Sequence, residues 1–230
     1  TGWRAYTKQT KSDLLAQYDV YLALEQISPE DYEELGIISK NVDKAEEVIG
    51  RLQRDLGLGG APLELIMSDE EEPLMRSIVA GQVDQLWQVA DDEVEHLFSK
   101  QRRELSSSTV VRQPKLIAGT AFDLEVPVRG GKLQTLHLVQ AVTKVNTDWL
   151  LELAPEIFDK RKSKLIYDPR IGGLARRQQV RFGKKVLEGH GEPVLEDSPE
   201  NRKIFVKEFS AWAVSQIEKQ RRNLERFHRN

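Results

Sequence analysis

The sequence of 230 residues contains no cysteine, which excludes disulfide bonds and thiolate metal sites and fits a reducing compartment. It also has no run near the roughly 18 apolar residues that a membrane helix needs, and no signal-peptide pattern. We therefore expect a cytoplasmic protein with no membrane partner. Because the sequence opens at Thr1 rather than at methionine, we also expect a fragment of a longer polypeptide.

Recognisable catalytic constellations are absent as well. The stretch Gly57–Gly60 lacks the Lys and hydroxyl of a phosphate-binding loop, and we interpret it as the end of a helix. Asp91–His96 offers carboxylates and an imidazole, but without a second acidic-His motif it is better explained as a solvated face. No histidine has H-E-x-x-H spacing, and Ser106–Ser108 lacks the glycines of a nucleophile elbow. The sequence therefore indicates no catalytic residue, no metal ligand and no cofactor in this chain.

Charge is present but unevenly distributed. Residues 1–99 contain 8 basic and 21 acidic side chains, whereas residues 100–230 contain 26 basic and 16 acidic side chains. Such asymmetry predicts an acidic part that faces protein or solvent and a basic part that faces a polyanion, the alternative being solvated surface throughout.

The first hundred residues have the apolar spacing of helices, separated by caps and glycines. Val42, Ala45, Ile49, Leu52 and Leu56 mark the clearest amphipathic helix. The predicted helices run from Ser12 to Gln26, from Ser28 to Gly36, from Val42 to Gly57, from Pro73 to Gly81 and from Val83 to Arg103.

From Ser106 onward the pattern changes to β-type runs. Three predicted strands precede a short helix that starts at Asn146–Asp148 and ends near Pro155, and two strands follow it. This is the order of an oligonucleotide/oligosaccharide-binding (OB) fold. Trp149, Leu150 and Leu153 would then close the bottom of a five-stranded barrel, and Arg129–Lys132 would form a hairpin turn. The predicted strands are STVV from Ser108, KLIAGTAFDLEVPV from Lys115, LQTLHLVQAVTKV from Leu133, KLIYDP from Lys164 and LARRQQVRFGKKVL from Leu174.

These elements predict an α+β protein with three parts. Residues 1–104 form a helical bundle, residues 105–190 form the OB-fold barrel, and residues 191–230 form a C-terminal helical extension that begins with Ser198 as a cap.

A basic segment from Lys160 to Lys185 holds ten cationic side chains and a single acid, Asp168. On a strand, Arg177, Gln179 and Arg181 would share one face, as they do on surfaces that hold a nucleic-acid backbone. Tyr167 and Phe182 are candidate stacking rings, although burial is the more common fate of such residues. The alternative for the whole segment is charge that protects edge strands from aggregation. The predicted nucleic-acid-binding residues are Lys132, Arg170, Arg176, Arg177, Arg181, Lys184 and Lys185.

Four stretches resemble the C-terminal accessory region of bacterial-type DEAH-box RNA helicases. They are KSDLLAQYDVYLALEQ (Lys11–Gln26), GIISKNVDKAEEVIGRLQRDLGL (Gly36–Leu58), MRSIVAGQVDQLW (Met75–Trp87) and VTKVNTDWLLELAPEIF (Val142–Phe158). The last is the most specific, because it is similar to the family pattern T-x-i-x-x-x-W-L-x-e-l-A-P-x-x-f. The resemblance covers roughly residues 11–185.

The resemblance implies a helical ratchet-like domain beside an OB-fold that grips single-stranded RNA, with DNA as an alternative, as it leaves the motor domains. It further implies that those motor domains of the same polypeptide carry ATP and Mg, and that a regulatory protein binds the OB-fold. Because the phosphate loop and the DEAH box are missing here, we expect this chain alone to be inactive as an ATPase. The rival hypotheses are a protein-interaction module that docks a partner or the motor domains, and a small enzyme.

Overall fold

The computed structural model describes residues 2–60, 62–90, 93–128 and 132–227. In these residues the protein is a mixed α+β structure with six α-helices and two β-sheets. The chain forms two compact units, Thr1–Val145 and Asn146–Asn230. No helix in the described part of the chain is long and apolar enough to cross a lipid bilayer.

The first unit contains four α-helices, with the expected caps at Ser12 and Gly36. The helices are α1 (Asp13–Ala23), α2 (Tyr32–Leu35), α3 (Ser39–Asp55) and α4 (Glu71–Ala80). The Ser12 hydroxyl accepts from the Leu15 amide at 3.4 Å, and Gly36 ends α2 in the left-handed conformation with φ 74°. The prediction of helices in this region is confirmed for all four.

Asp13, the first residue of α1, ties the helix to more distant parts of the unit. Its buried carboxylate accepts from the Thr109 hydroxyl and the Val110 amide at 2.8 Å each, and from the Val142 amide at 2.9 Å. The neighbouring Ser12 hydroxyl lies 2.8 Å from that of Thr143. A buried carboxylate with three donors is satisfied, so this contact fixes where α1 begins relative to the sheet.

The sheet of the first unit contains five strands: β1 (Leu86–Ala90), β2 (Glu93–His96), β3 (Arg102–Leu105), β4 (Leu116–Pro127) and β5 (Leu133–Lys144). They close on themselves in the order β1-β2-β3-β5-β4, with β4 bonded back to β1. The β3–β5 pair is parallel and the others are antiparallel. The core inside this closed sheet consists of Trp87, Val94, Val111, Ile117, Val139 and Val142.

Gly119 on β4 is the point of closest packing in this core. A Cβ at this position would lie 2.6 Å from Val142 Cγ1 and 2.9 Å from Val139 Cγ1. The Gly119 carbonyl also accepts from the Trp87 indole nitrogen at 2.9 Å. Only glycine leaves room for the two valines and the indole to meet.

The helix predicted over Val83–Arg103 is wrong, because β1, β2 and the start of β3 occupy this range. Leu86, Trp87 and Val94 are buried as expected, but from two antiparallel strands rather than from one helical face. The strand predicted at Ser108–Val111 is also wrong, since this segment lies between β3 and β4. The sheet consequently crosses the domain boundary predicted near residue 104.

The second unit begins with the predicted short helix. Asn146 caps a 3-10 turn, Thr147–Trp149, by accepting from the Asp148 amide at 3.1 Å, and α5 (Leu150–Leu153) follows. Strands β6 (Phe158–Asp168), β7 (Gly173–Phe182) and β8 (Lys185–Pro193) form an antiparallel sheet in the order β6-β7-β8. Within this unit the buried apolar side chains include Trp149, Leu150, Phe158, Val180 and Leu187.

The five strands predicted as one barrel are therefore divided between two sheets. The predicted second and third strands are β4 and β5 of the closed sheet, whereas the predicted fourth and fifth belong to the three-stranded sheet. The predicted single strand Leu174–Leu187 is in fact a hairpin, because Gly183, with φ 55°, turns the chain between β7 and β8.

Helix α6 (Pro199–Phe227) completes the second unit, and its predicted start at Ser198 is confirmed. The Ser198 hydroxyl accepts from the Asn201 amide at 3.2 Å. On the sheet side of α6, Phe205, Phe209 and Trp212 surround the ring of Tyr167. This aromatic cluster holds the helix against β6.

Candidate nucleic-acid interface

The structure distributes the predicted binding residues over both units. Lys132 lies in the first unit, directly before β5 in the β4–β5 hairpin. It is exposed, and its carbonyl accepts from the Val128 amide at 2.9 Å. The rest of the predicted hairpin turn, residues 129–131, falls outside the described residues. The other six residues all belong to the second unit: Arg170, Arg176, Arg177, Arg181, Lys184 and Lys185.

Arg170 and Arg177 are both bound to the one acid of the basic segment, Asp168. Arg170 forms a two-pronged contact, with Nε 3.0 Å from Oδ1 and Nη2 2.6 Å from Oδ2, and its amide also donates to Oδ1 at 3.0 Å. Arg177 Nη2 donates to Oδ2 at 3.3 Å. The Asp168 side chain is 3% exposed and that of Arg177 is 12% exposed. This cluster is an internal structural contact that engages two of the predicted phosphate ligands.

The hydrogen bonds from Arg170, together with the charges of both arginines, hold the pKa of the Asp168 carboxyl far below its usual range, even though burial opposes this. The carboxylate therefore stays ionised throughout the neutral range. A stable negative charge at this point partly neutralises the cations around it.

Arg181 also has an acidic partner. Its guanidinium donates through Nε to the Asp159 carboxylate at 3.0 Å, and Nη2 contacts the same oxygen. The two residues face each other on β7 and β6 in the sheet register. Because both side chains are about half exposed, at 41% and 56%, the pair remains open to competition from another anion.

The strand register defines a cationic face of the three-stranded sheet. Residues paired across an antiparallel sheet lie on the same side, and alternate residues of β7 point the same way. Arg177, Gln179 and Arg181 therefore share one side, as their alternation predicts, together with their β6 partners Lys164, Arg161 and Asp159. We call Arg161, Lys164, Arg177, Gln179 and Arg181 the cationic face.

The remaining predicted residues lie elsewhere on the sheet. Arg176 is exposed on the opposite side of β7, beside Leu165 and Glu192 in the register. Lys184 is exposed in the β7–β8 turn, and Lys185 is half-buried at the start of β8. The structure thus does not bring the six predicted residues of this unit together on one surface.

Strand β6 contains the cations that the predicted site left out. Lys160, Arg161, Lys162 and Lys164 are all exposed, and β6 is an edge strand of its sheet. A bulge between Arg161 and Lys164 interrupts the register with β7. Within the described part of the chain, none of these four side chains has a carboxylate partner. The signal was present in the sequence as the run K-R-K-S-K, which the predicted basic segment included but the predicted site did not.

No three His, Asp or Glu side chains in the described residues come close enough together to hold a metal ion. His96 lies on β2, where Nε2 is 2.8 Å from the Asp84 carbonyl and Nδ1 is 2.9 Å from the Ser99 hydroxyl. This arrangement positions the imidazole as part of the β2–β3 connection.

Comparisons with known proteins give little further guidance. No protein-family model matches this chain, and no curated protein does. Among solved structures, the chain is similar to the E. coli DExH-box NTPase HrpB, with a TM-score of 0.29 and 11% identity over 63% of this chain and 17% of that one. The matched region is thus a small part of that protein. This likeness is too weak to assign a fold family or an activity.

Proposed function

We propose that this chain is a nucleic-acid-binding accessory region of an ATP-dependent DEAH-box RNA helicase. The observation that carries the binding part of the proposal is the row of four exposed cations on β6, which lack carboxylate partners in the described structure. Cations left unpaired on an exposed strand are available to phosphates, and each phosphate contact releases condensed counterions from the polyanion.

Protection of the sheet edge is the simpler explanation for charge on β6. One or two lysines are enough to discourage edge-to-edge pairing, and a bulge helps by twisting the edge. Strand β6 has both the bulge and four cations within five residues, and the cationic face continues onto β7. This density exceeds what edge protection requires, and it favours a polyanionic ligand.

We further propose that the closed five-stranded sheet is an OB-fold. Its order β1-β2-β3-β5-β4, with β3 and β5 parallel, gives the five-stranded Greek-key closure of that fold. In OB-folds the face of strands 2 and 3 holds the oligonucleotide. Here that region pairs its own charges, since Arg102 lies 3.5 Å from Glu93 and Lys100 lies 4.0 Å from Glu95. We therefore assign the main phosphate contacts to the second unit.

The remaining parts of this proposal concern the helicase to which we assign this chain. Motor domains that bind ATP and Mg would drive the RNA, this region would hold the RNA as it leaves them, and a regulatory protein would bind the OB-fold in the cytoplasm. These assignments rest on the sequence motifs, above all on Val142–Phe158.

Binding is tested with the 230-residue chain and a fluorescein-labelled 20-nucleotide RNA, by fluorescence anisotropy at several salt concentrations. We expect the double variant Lys162→Glu/Lys164→Glu to bind at least tenfold more weakly at about 100 mM salt. Each phosphate contact contributes about −0.7 to the slope of log K against log salt. Losing two contacts should therefore reduce the change in K over a tenfold change in salt concentration by roughly 25-fold.

The matched control is Lys207→Glu/Lys219→Glu, which makes the same change in net charge at exposed positions of α6. It should retain most of the affinity and most of the salt slope. Equal losses in the two double variants would show that only net charge matters, and the assignment of the site to β6 would then be wrong.

A protein-interaction module is the second candidate, and the exposed apolar residues around α3 favour it. The helix is amphipathic as predicted, yet none of its residues is buried, and Ile38, Leu52 and Leu56 are 63%, 49% and 68% exposed. An exposed apolar stripe of this kind is typical of a surface that binds another protein. Association through it would persist at about 1 M salt, whereas phosphate contacts would be lost.

A further inference from the structure

The first unit contains a polar cavity that the proposed phosphate contacts do not use. Its volume is about 270 Å³, slightly below the roughly 300–1,000 Å³ of pockets that hold drug-sized ligands, so it suits a single ring system. The N-terminal 3-10 turn (Gly2–Tyr6), helix α1 and strand β5 supply most of its wall. The lining residues are Trp3, Asp13, Gln17, Ser108, Gln140 and Ala141.

A bulge in β5 shapes one side of this cavity. The register shifts between Ala118 and Thr120 of β4, where β5 has one residue more than β4. Ala141 lies in the bulge with φ 51°, in the left-handed region that residues with a side chain rarely adopt. Backbone conformations of this kind concentrate at sites that bind ligands. The bulge therefore marks the wall formed by Gln140 and Ala141 as a candidate binding surface.

Two side-chain amides at the cavity have no hydrogen-bond partner among the described residues. Gln17 is exposed on α1, and Gln140 is half-buried on β5. Each carries two N–H donors and an acceptor oxygen. Amides left free at one cavity are available to a ligand that presents donors and acceptors along the same edge.

Asp13 adds a carboxylate that has no cationic partner among the described residues. Its Oδ1 accepts from the Thr109 hydroxyl and the Val110 amide, whereas its Oδ2 accepts only from the Val142 amide. A carboxylate has about four acceptor positions, so one of them stays open in the described structure. A free acceptor on a charged group favours a ligand that offers N–H donors.

Trp3 and Arg4 decide between a cationic ligand and a neutral one. The guanidinium carbon of Arg4 lies 5.4 Å from the centroid of the Trp3 ring, and its Nη2 donates to the Ser107 carbonyl at 2.9 Å. A cation is thus already held beside this ring and would repel a second one. A neutral planar ring avoids this repulsion, and it can stack on an indole or on a guanidinium plane.

From these groups we propose that the cavity binds a guanine base. The Watson–Crick edge of guanine has two adjacent N–H donors, N1–H and the N2 amino group, beside the acceptor O6. The donors match the Asp13 carboxylate and an amide oxygen, and O6 matches an amide N–H. Adenine and cytosine would bring a ring-nitrogen lone pair toward the carboxylate, and uracil offers a single N–H donor.

The base belongs either to a free guanosine nucleotide or to RNA, since both present the same edge. This site goes beyond the proposed function, which concerns the phosphate contacts of the second unit. It would give the first unit a preference for one base, in contrast to contacts with phosphate, which do not depend on sequence.

The test titrates the 230-residue chain with GMP, AMP, CMP and UMP in the same buffer, by isothermal titration calorimetry. We expect GMP to bind at least fivefold more tightly than each of the other three. Gln17→Leu and Gln140→Leu should each weaken GMP binding about fivefold or more, because each removes an amide that bonds to the base. Gln134→Leu is the matched control, since Gln134 is exposed on the same strand and does not line the cavity. It should leave the GMP affinity unchanged.

A second arm distinguishes the source of the base. It compares a labelled 20-nucleotide oligo(U) with the same RNA carrying one central guanosine, for the wild type and for Gln17→Leu. A gain of at least threefold from the guanosine that disappears in Gln17→Leu assigns the base to RNA. Tight GMP binding without this gain assigns it to a free nucleotide.

Three results would overturn the inference: binding of none of the four nucleotides, equal affinities for all four, and a GMP affinity unchanged in both Gln17→Leu and Gln140→Leu. None of them bears on the phosphate contacts of β6, which are tested separately with the Lys162→Glu/Lys164→Glu variant. The comparison of nucleotides uses the unaltered protein, and Gln17 is exposed, so the question is decided even if Gln140→Leu does not fold.

Discussion

Replacing Asp168 with Asn should destabilise the second unit substantially. The substitution keeps the shape of the side chain but removes the charge that Arg170 and Arg177 share. Arg170 is 68% exposed and can turn to solvent, so the substitution costs little at that residue. Arg177 is only 12% exposed, so the loss of the Asp168 charge beside this nearly buried cation accounts for most of the cost. Breaking one partner of a buried ion pair costs about 3–5 kcal/mol, and we expect about 3 kcal/mol here because one arginine is solvated.

The assay is urea unfolding, monitored by hydrogen-exchange mass spectrometry of peptides from β6 and β7. These peptides report on the second unit separately from the first. With an m-value of about 1.5 kcal/mol/M, the midpoint should fall by roughly 2 M. Asp197→Asn is the matched control, because Asp197 and its partner Arg202 are 68% and 71% exposed. This control should leave the midpoint unchanged.

The stability difference between the wild type and Asp168→Asn should also depend on pH. The pKa of Asp168 is lowered in the folded protein, so its contribution is present above the unfolded-state pKa of about 3.9 and is lost as the pH falls through the lower folded-state value. The difference should therefore stay constant from neutral pH down to about pH 4 and shrink below it. A midpoint change below about 0.5 M at pH 7 would refute the claim that this carboxylate supports the sheet.

Two further substitutions test the first unit. Asp13→Asn should cost about 2 kcal/mol in urea unfolding, because its amide group would face the buried Val142 amide, donor against donor; an unchanged midpoint would contradict this. Gly119→Ala should cost about 2 kcal/mol and lower the melting temperature by about 6 °C, since the new methyl group overlaps the γ-carbons of two core valines. Gly81→Ala, where the nearest atom is 3.6 Å away, should have little effect, and equal melting temperatures for both variants would disprove the packing argument.

Local signals in the sequence were sufficient for the helices and the long hairpin. Ser12 and Ser198 cap α1 and α6 as predicted, and the alternating runs on either side of residues 129–131 became β4 and β5. These elements depend on capping and periodicity, which act over a few residues. The sequence therefore contains enough information to place them.

The first three strands could not be predicted because their apolar residues match a helix by coincidence. Leu86, Ala90 and Val94 are four residues apart, as on one face of a helix, yet they come from two short antiparallel strands, β1 and β2. Strands of four or five residues give too few alternations to outweigh such a pattern. In addition, β1 pairs with β4 and β3 pairs with β5 through residues 28 to 34 positions apart, beyond the reach of local reasoning.

The ion pairs within the basic segment also could not be predicted from the sequence. Counting charges showed one acid among ten cations, but only the side-chain contacts in the structure show that Asp168 engages Arg170 and Arg177. They also show that Asp159, just outside the counted segment, engages Arg181. The cations of β6 carry no such partner in the described structure. Charge counting alone cannot separate paired from unpaired cations, because pairing is set by tertiary contacts.

The long-range hydrogen bonds of Asp13 determine when the N-terminal unit can finish folding during translation. The Asp13 carboxylate cannot accept from the Val142 amide until Val142, 129 residues later in the chain, has been synthesised. At about 5–20 residues per second, a ribosome needs roughly 6–26 s to make that stretch. For this interval the first helix exists without its docking partner, so completion of the N-terminal unit is delayed until the fifth strand has left the exit tunnel.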